Sequence, residues 1–205
     1  MKIGGDRAPL LLIGGGKDLI AYLIAHSREF DLDPNRIVLA GDSAGAQIAS
    51  QTAMIITDAE YAPIIGISPA IEAEQLRATV LVSGAFDMSS LGNAEGITGW
   101  FVRTVLWSYS GVRDFMNDDQ FARASITPNV TASFPPTFIT SGDADPLEPQ
   151  AQALLGRLLD LGVAAEGLFF ADGSGLNHEY QFNLDTDAGR RAYQEMTDFL
   201  AATLM

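Results

Sequence analysis

The sequence predicts an α/β fold: a mostly parallel sheet of about five strands flanked by helices, with a helical insert after the third strand. Two observations carry this. Short β-branched runs alternate with longer segments of helical period, the pattern of strand, crossover helix and parallel strand. The runs "RIVLAG", "TVLVSG" and "TFITSG" are also continuously apolar, as strands buried on both faces are, and each ends in glycine.

Strands are expected at Ala8–Ile13 and at about 36–40, 79–83, 137–141 and 166–170, and helices at about 17–30, Ala44–Thr57, 149–161 and 187–202. The first helix should stop at "DLDPN", because Pro34 disfavours helix in the residue before it and cannot continue one. Residues 84–134 exceed what a simple crossover needs and contain "GITGWFVRTVLWSYSG", with both tryptophans. This insert has two readings, a lid or pocket wall and a set of aromatics that completes the core. The chain of 205 residues reads as one domain, 1–205, with 84–134 as its insert or lid-like region.

Charge narrows the partners. Twelve Lys and Arg stand against 26 Asp and Glu, a formal net charge of -14. Nucleic acid and anionic membrane surfaces reward clustered cations, so neither is an expected partner. No run of about 20 apolar residues spans a membrane, and no secretory pattern is visible, so a cytoplasmic location is expected and the sequon at Asn129 is not read as glycosylated. Without cysteine and with two histidines, the sequence offers no thiolate or His-rich metal site, and no cofactor is expected.

The chemistry gathers around Gly41-Asp42-Ser43-Ala44-Gly45. This G-x-S-x-G segment lies between a buried strand and a small-residue helix, the context of a nucleophile elbow. Side chains two residues either side of such a serine collide with neighbouring backbone, hence the flanking glycines. The helix beginning at Ala44 directs its first N–H groups toward a developing oxyanion. A serine is unreactive at its free pKa and needs a base oriented by a third group. Asp143 and Asp145 follow the fourth strand as candidate acids, and His178 follows the fifth as candidate base. His26 lies in the first helix, upstream of the serine, a place suited to packing or solvent.

The segments "FDLDPNRIVLAGDSAG", "GDADPL" and "NHEYQF" resemble the carboxylesterases of the hormone-sensitive-lipase-like branch of the α/β-hydrolase fold. The likeness runs from about Lys17 to the end. It implies that Ser43 is the nucleophile, Asp145 of the D-P-L motif the orienting acid, with Asp143 as the fallback, and His178 the general base. It also implies cleavage of small to medium carboxylic esters through an acyl-enzyme.

The sequence departs from that branch near its start. Its members carry His-Gly-Gly after an early strand; here "LLLIGGGKDLI" keeps the strand and glycines but has Ile13 at the histidine position. One helix-strand unit and the first strands of the family sheet are absent. Gly14, Gly15 and Ala44 are the expected oxyanion donors. The glycines do not form a phosphate loop, since Leu11 replaces the first glycine of G-x-x-x-x-G-K and Asp18 its hydroxyl residue, while Leu19 breaks G-x-G-x-x-G.

Removing those strands leaves a contiguous sheet, with Ala8–Ile13 as a new apolar edge, and that edge is expected to pair with another copy, as a homodimer or by strand exchange, or else to aggregate. The rival to an active hydrolase is a catalytically impaired scaffold or interaction module, in which the shortened segment has displaced the oxyanion glycines.

Overall fold

In a computed structural model the described residues are 8–13, 17–91, 100, 103–104, 106–107, 113–117, 119–171 and 173–205. Five strands form one sheet: β1 (Ala8–Ile13), β2 (Leu32–Asp42), β3 (Leu76–Val82), β4 (Thr137–Thr140) and β5 (Ala165–Leu168). Their order in the sheet is their order in the chain, and every neighbouring pair is parallel. The helices are α1 (Lys17–Ala25), α2 (Ala44–Thr57), α3 (Tyr61–Ile65), α4 (Met88–Leu91), α5 (Asp119–Ala122), α6 (Glu148–Asp160) and α7 (Asp187–Leu204). The step from β1 to the Ser43-bearing end of β2 runs through α1 alone, the short connection expected from the sequence.

Strand alternation sorts the core onto two faces. Ile37 and Leu39 of β2, Leu81 of β3 and Ile139 of β4 point to one side, where Ile20 of α1, Ala46, Ala49 and Ala53 of α2, and Leu154 and Leu158 of α6 cover them. Val38, Val80, Val82, Phe138 and Leu168 point to the other, against Ala192, Phe199, Leu200 and Leu204 of α7. Small residues on α2 let that helix lie close to the middle of the sheet. A polar pair between β3 and β4, Thr79 Oγ1 and Thr137 Oγ1, is satisfied internally at 2.8 Å.

Two boundaries differ from expectation for local reasons. Helix α1 ends at Ala25, short of 30, and the chain reaches β2 through turns that close at Leu32 N→Ser27 O, with Asp31 in the left-handed region at φ 53°. His26 therefore lies just past α1, stacked on the Tyr22 ring and donating from Nδ1 to Tyr22 O at 2.8 Å. Strand β2 begins at Leu32, before Pro34. The register against β1 jumps from Asp33 to Ile37, so Pro34 sits in an irregularity where no ladder N–H is demanded. The Asp33 carboxylate fixes that bend by accepting from Asn35 N at 3.0 Å and Arg36 Nε at 2.9 Å.

The described apolar residues of the insert fall into two clusters. Phe86, Ile126, Val130 and Phe134 join the main core, whereas Met88, Leu106, Phe115, Phe121 and Ala124 make a separate cluster. The tryptophans complete neither, since Trp100 and Trp107 are exposed. Gln150 of α6 anchors the start of the insert, its Oε1 accepting from Phe86 N and Asp87 N, both at 2.7 Å. Its return is tied to α2 and α3 by Gln47 Nε2→Ala124 O and Tyr61 Oη→Arg123 O. Among the described residues no helix is long and apolar enough to cross a membrane.

Candidate active site

Strand β2 delivers the chain to Asp42, and α2 begins at Ala44, leaving Ser43 alone in the turn. Its backbone is at φ 54°, ψ −120°, a conformation costly for a residue with a side chain. The turn is tight because Gly41 passes against Gly45: a Cβ on Gly41 would lie 2.0 Å from Gly45 O. Ser43 N donates to Val82 O at 2.9 Å, which fixes the turn to the end of β3. Ala44 opens an α-helix, where first-turn N–H groups have no intrahelical acceptor.

Two further loops come to Ser43 from the same edge of the sheet. His178, after β5, places Nε2 at 3.0 Å from Ser43 Oγ and Nδ1 at 2.9 Å from Asp145 Oδ2. A carboxylate only accepts, so Nδ1–H donates to Asp145 and Nε2 is left to accept the Ser43 hydroxyl proton. The Asp145 side chain is fully buried, and its remaining acceptor capacity is used: Ser141 Oγ donates to Oδ2 and Leu147 N to Oδ1, each at 2.9 Å. A buried charge needs such partners. The sequence alone did not single out Ser141 as one of them.

Asp143 takes a different position from Asp145. Its carboxylate faces the loop that leads to His178, accepting from Leu176 N at 2.8 Å and Gly175 N at 3.0 Å. The Leu176 N–H, followed by the other backbone donors, holds its carboxyl below the ordinary carboxylate range. The same approach is closed from the backbone side, where Ala144 N donates to Leu176 O and a Cβ on Gly142 would stand 2.1 Å from that oxygen. Past His178, the chain is seated by Tyr180, whose hydroxyl bonds to Thr140 Oγ1 and whose pKa is raised by burial.

Three residues that the motifs did not flag complete the surroundings. Asp42, Glu179 and Gln181 lie beside the serine and histidine; Gln181 Nε2 donates to Asp42 Oδ1 at 2.9 Å, and Glu179 Oε1 lies 4.0 Å from His178 Nε2. Burial, then the Glu179 carboxyl, pushes the Asp42 pKa up to about 6. No spacing rule pairs Asp42 with residues so far along the chain, and the H-E-Y-Q run was read only for its histidine. Gly14 and Gly15, the expected glycine donors to an oxyanion, and Gly16 lie outside the described residues. A cavity of about 370 Å³ between α1, α2 and the segment after α3, lined by Ile20, Ile48, Ile55 and Ile67 among others, contains none of the residues just described.

A family model described as alpha/beta hydrolase fold matches residues 15–181. The chain is 28% identical over 186 residues to the esterase LipQ of Mycobacterium tuberculosis, an alignment covering 90% of this chain and 42% of that protein. It thus spans about two fifths of that relative. Among solved structures, it superposes on esterase B from Lactobacillus rhamnosis with a TM-score of 0.73 at 22% identity, covering 94% of this chain and 62% of that one. For esterase LipW from Mycobacterium marinum the TM-score is 0.68 at 20% identity, with 91% and 56% covered.

The role of Asp143 as a loop clamp has a pH signature. A carboxyl whose folded pKa is lowered contributes stability above its unfolded value of 3.8 and loses it as pH falls through the folded value. Asp143→Asn is expected to melt below the natural protein at pH 7, with the gap closing below pH 3.8. A gap that does not change with pH in thermal melts would contradict this.

Proposed function

The chain belongs to the alpha/beta hydrolase fold family, and from that premise we propose that it is a serine hydrolase cleaving small to medium carboxylic esters through an acyl-enzyme. The observation that carries the reading is the unbroken chain of contacts from Ser43 Oγ through the His178 ring to Asp145, 3.0 Å and 2.9 Å long. The esterases among its relatives support the substrate class.

In this reading Ser43 Oγ attacks the ester carbonyl carbon as its proton passes to His178 Nε2. Asp145, already hydrogen-bonded to Nδ1, keeps the ring in the accepting tautomer and stabilises the imidazolium. The carbonyl oxygen becomes an oxyanion, received by the N–H of Ala44 and by Gly14 and Gly15. When the bond from carbon to the alcohol oxygen breaks, His178 returns its proton to the departing alcohol, leaving an acyl group on Ser43. Water then adds to that acyl carbon with His178 as base, the bond to Oγ breaks, and the carboxylic acid leaves with the Ser43 hydroxyl restored.

The same reading pairs a second copy of the chain with β1, the strand at one edge of the sheet among the described residues. Light scattering of the purified chain is expected to give a dimer, and a monomer at high concentration would overturn that pairing.

Hydrolysis of short p-nitrophenyl esters tests the chemistry. Ser43→Ala is expected to abolish turnover and Asp145→Asn to lower kcat about 10⁴-fold. Asp143→Asn, which touches the loop and not the imidazole, is expected to cost at most about 100-fold, less than Asp145→Asn, since it shifts the loop without removing the acceptor that fixes the imidazole tautomer. Equal rates for the natural protein and Ser43→Ala would overturn the reading in favour of an inactive scaffold.

A further inference from the structure

A second concave site lies along α2, and neither Ser43, Asp145 nor His178 lines it. Its outer wall is built by the chain that follows α2. The Asp58 carboxylate pins the corner into α3, with Oδ1 accepting from Glu60 N at 2.9 Å and Tyr61 N at 3.1 Å. Helix α3 then stops at Gly66, which takes the left-handed conformation at φ 74°, and Ile67 N donates back to Ala62 O. That stop turns residues 67–70 to face α1 and α2, and the space enclosed is the cavity of about 370 Å³. Small-molecule sites run from about 300 to 1,000 Å³, so there is room for a small ligand.

The lining divides into an aliphatic floor and a polar rim. Ile20, Ile55 and Ile56 are buried at the bottom, whereas Ile48 and Ile67 are exposed at the mouth. Gln51 is engaged at both ends of its amide, since Nε2 donates to Tyr61 Oη at 3.1 Å and Oε1 accepts from Gln47 Nε2 at 3.2 Å. Lys17 and Ser68 are the exposed polar residues of the lining, and among the described residues neither side chain has a hydrogen-bond or ion-pair partner. No acidic side chain lines the cavity. In a chain with a formal net charge of -14, an unpaired cation thus stands beside an aliphatic hollow.

We propose that this cavity is a binding site for an aliphatic carboxylate of medium chain length. The tail leaves water against the isoleucines, which is the favourable part of binding. The carboxylate only accepts, and it takes hydrogen bonds from the Lys17 ammonium and the Ser68 hydroxyl, which can donate. Each half of the ligand is needed: an acid without a tail leaves the floor bare, an alcohol leaves the Lys17 charge unmatched, and an amine is repelled by it. The site does not depend on the assignment of Ser43 as nucleophile, although ester cleavage there releases acids of this class.

The experiment uses the intact chain with isoleucine methyl groups labelled for NMR, titrated with octanoate and, for comparison, butanoate, octanol and octylamine. Octanoate is expected to move the Ile48, Ile55 and Ile67 methyl signals saturably, while Ile126 and Ile139, which do not line the cavity, stay in place. It is also expected to raise the melting temperature, as any ligand of the folded state does. Affinity is expected to grow about fourfold per methylene from butanoate to octanoate, and octylamine is expected not to bind. Lys17→Met is expected to weaken octanoate about two- to fivefold, the loss typical of an exposed ion pair, and to leave octanol unchanged. Ile48→Glu, a change at the exposed mouth, is expected to weaken it further by setting one carboxylate against another. If that variant does not fold, the natural chain and Lys17→Met decide. Unmoved cavity methyls under octanoate, or equal binding of octanoate and octanol with no loss in Lys17→Met, overturns the proposal. Octanoate held only near Ser43 as a reaction product leaves the cavity methyls unmoved and so counts against it, and the result stands whether or not Ser43→Ala abolishes turnover.

Discussion

The structure depends on one close passage of backbone. Between β2 and α2 the chain reverses so tightly that Gly41 lies against the Gly45 carbonyl, and the residue between, Ser43, is held at a positive φ. Such a conformation persists only where surrounding structure over-determines it. Here β2 is paired on both sides, by β1 and β3, while α2 packs its alanines against the sheet. The strain is therefore borne by a well-packed part of the sheet. Its result is a hydroxyl presented at the carboxyl edge of the sheet, where open α/β sheets collect their ligands.

Around that fixed point the other groups are placed by short-range backbone bonding in two loops. Asp145 is fixed by its own turn, donating from N to Gly142 O while its carboxylate accepts from Leu147 N. His178 arrives on a longer loop and is held by contacts that cross from the β4 end to the β5 end: Asp143 on Gly175 and Leu176, Ala144 on Leu176, and the Tyr180 hydroxyl on Thr140. Neighbouring carboxylates two residues apart thus do different work. Asp145 is buried and faces the imidazole, whereas Asp143 is at the surface and organises the loop that brings the imidazole in.

Much of this was legible in the sequence because it rests on local rules. Continuous apolar runs ending in glycine located the central strands, and Ala44–Thr57 was readable to the residue because a glycine-flanked serine must precede a helix. Chain order pointed to Ser43 and His178, and the D-P-L motif favoured Asp145. What escaped was non-local. The early start of β2 depends on Asp33 bracing a bend that spares Pro34 a ladder bond, a compensation no propensity reveals. The bond from Gln181 Nε2 to Asp42 Oδ1 joins the serine turn to the segment after His178, a pairing that no spacing rule provides. The tryptophans of the insert fit either a lid or a core by their size, and sequence pattern does not reveal that both are exposed in the fold.

The central claim is that the Ser43 hydroxyl is an activated nucleophile because His178 and Asp145 stand behind it. Treatment of the purified protein with a fluorophosphonate, followed by peptide mass spectrometry, measures this directly, since the reagent bonds covalently to an activated serine and ignores an inert one. The account predicts a single phosphonate on Ser43, lost when His178 is replaced by alanine. An unlabelled protein, or labelling of Ser43 at the same rate without His178, would contradict it.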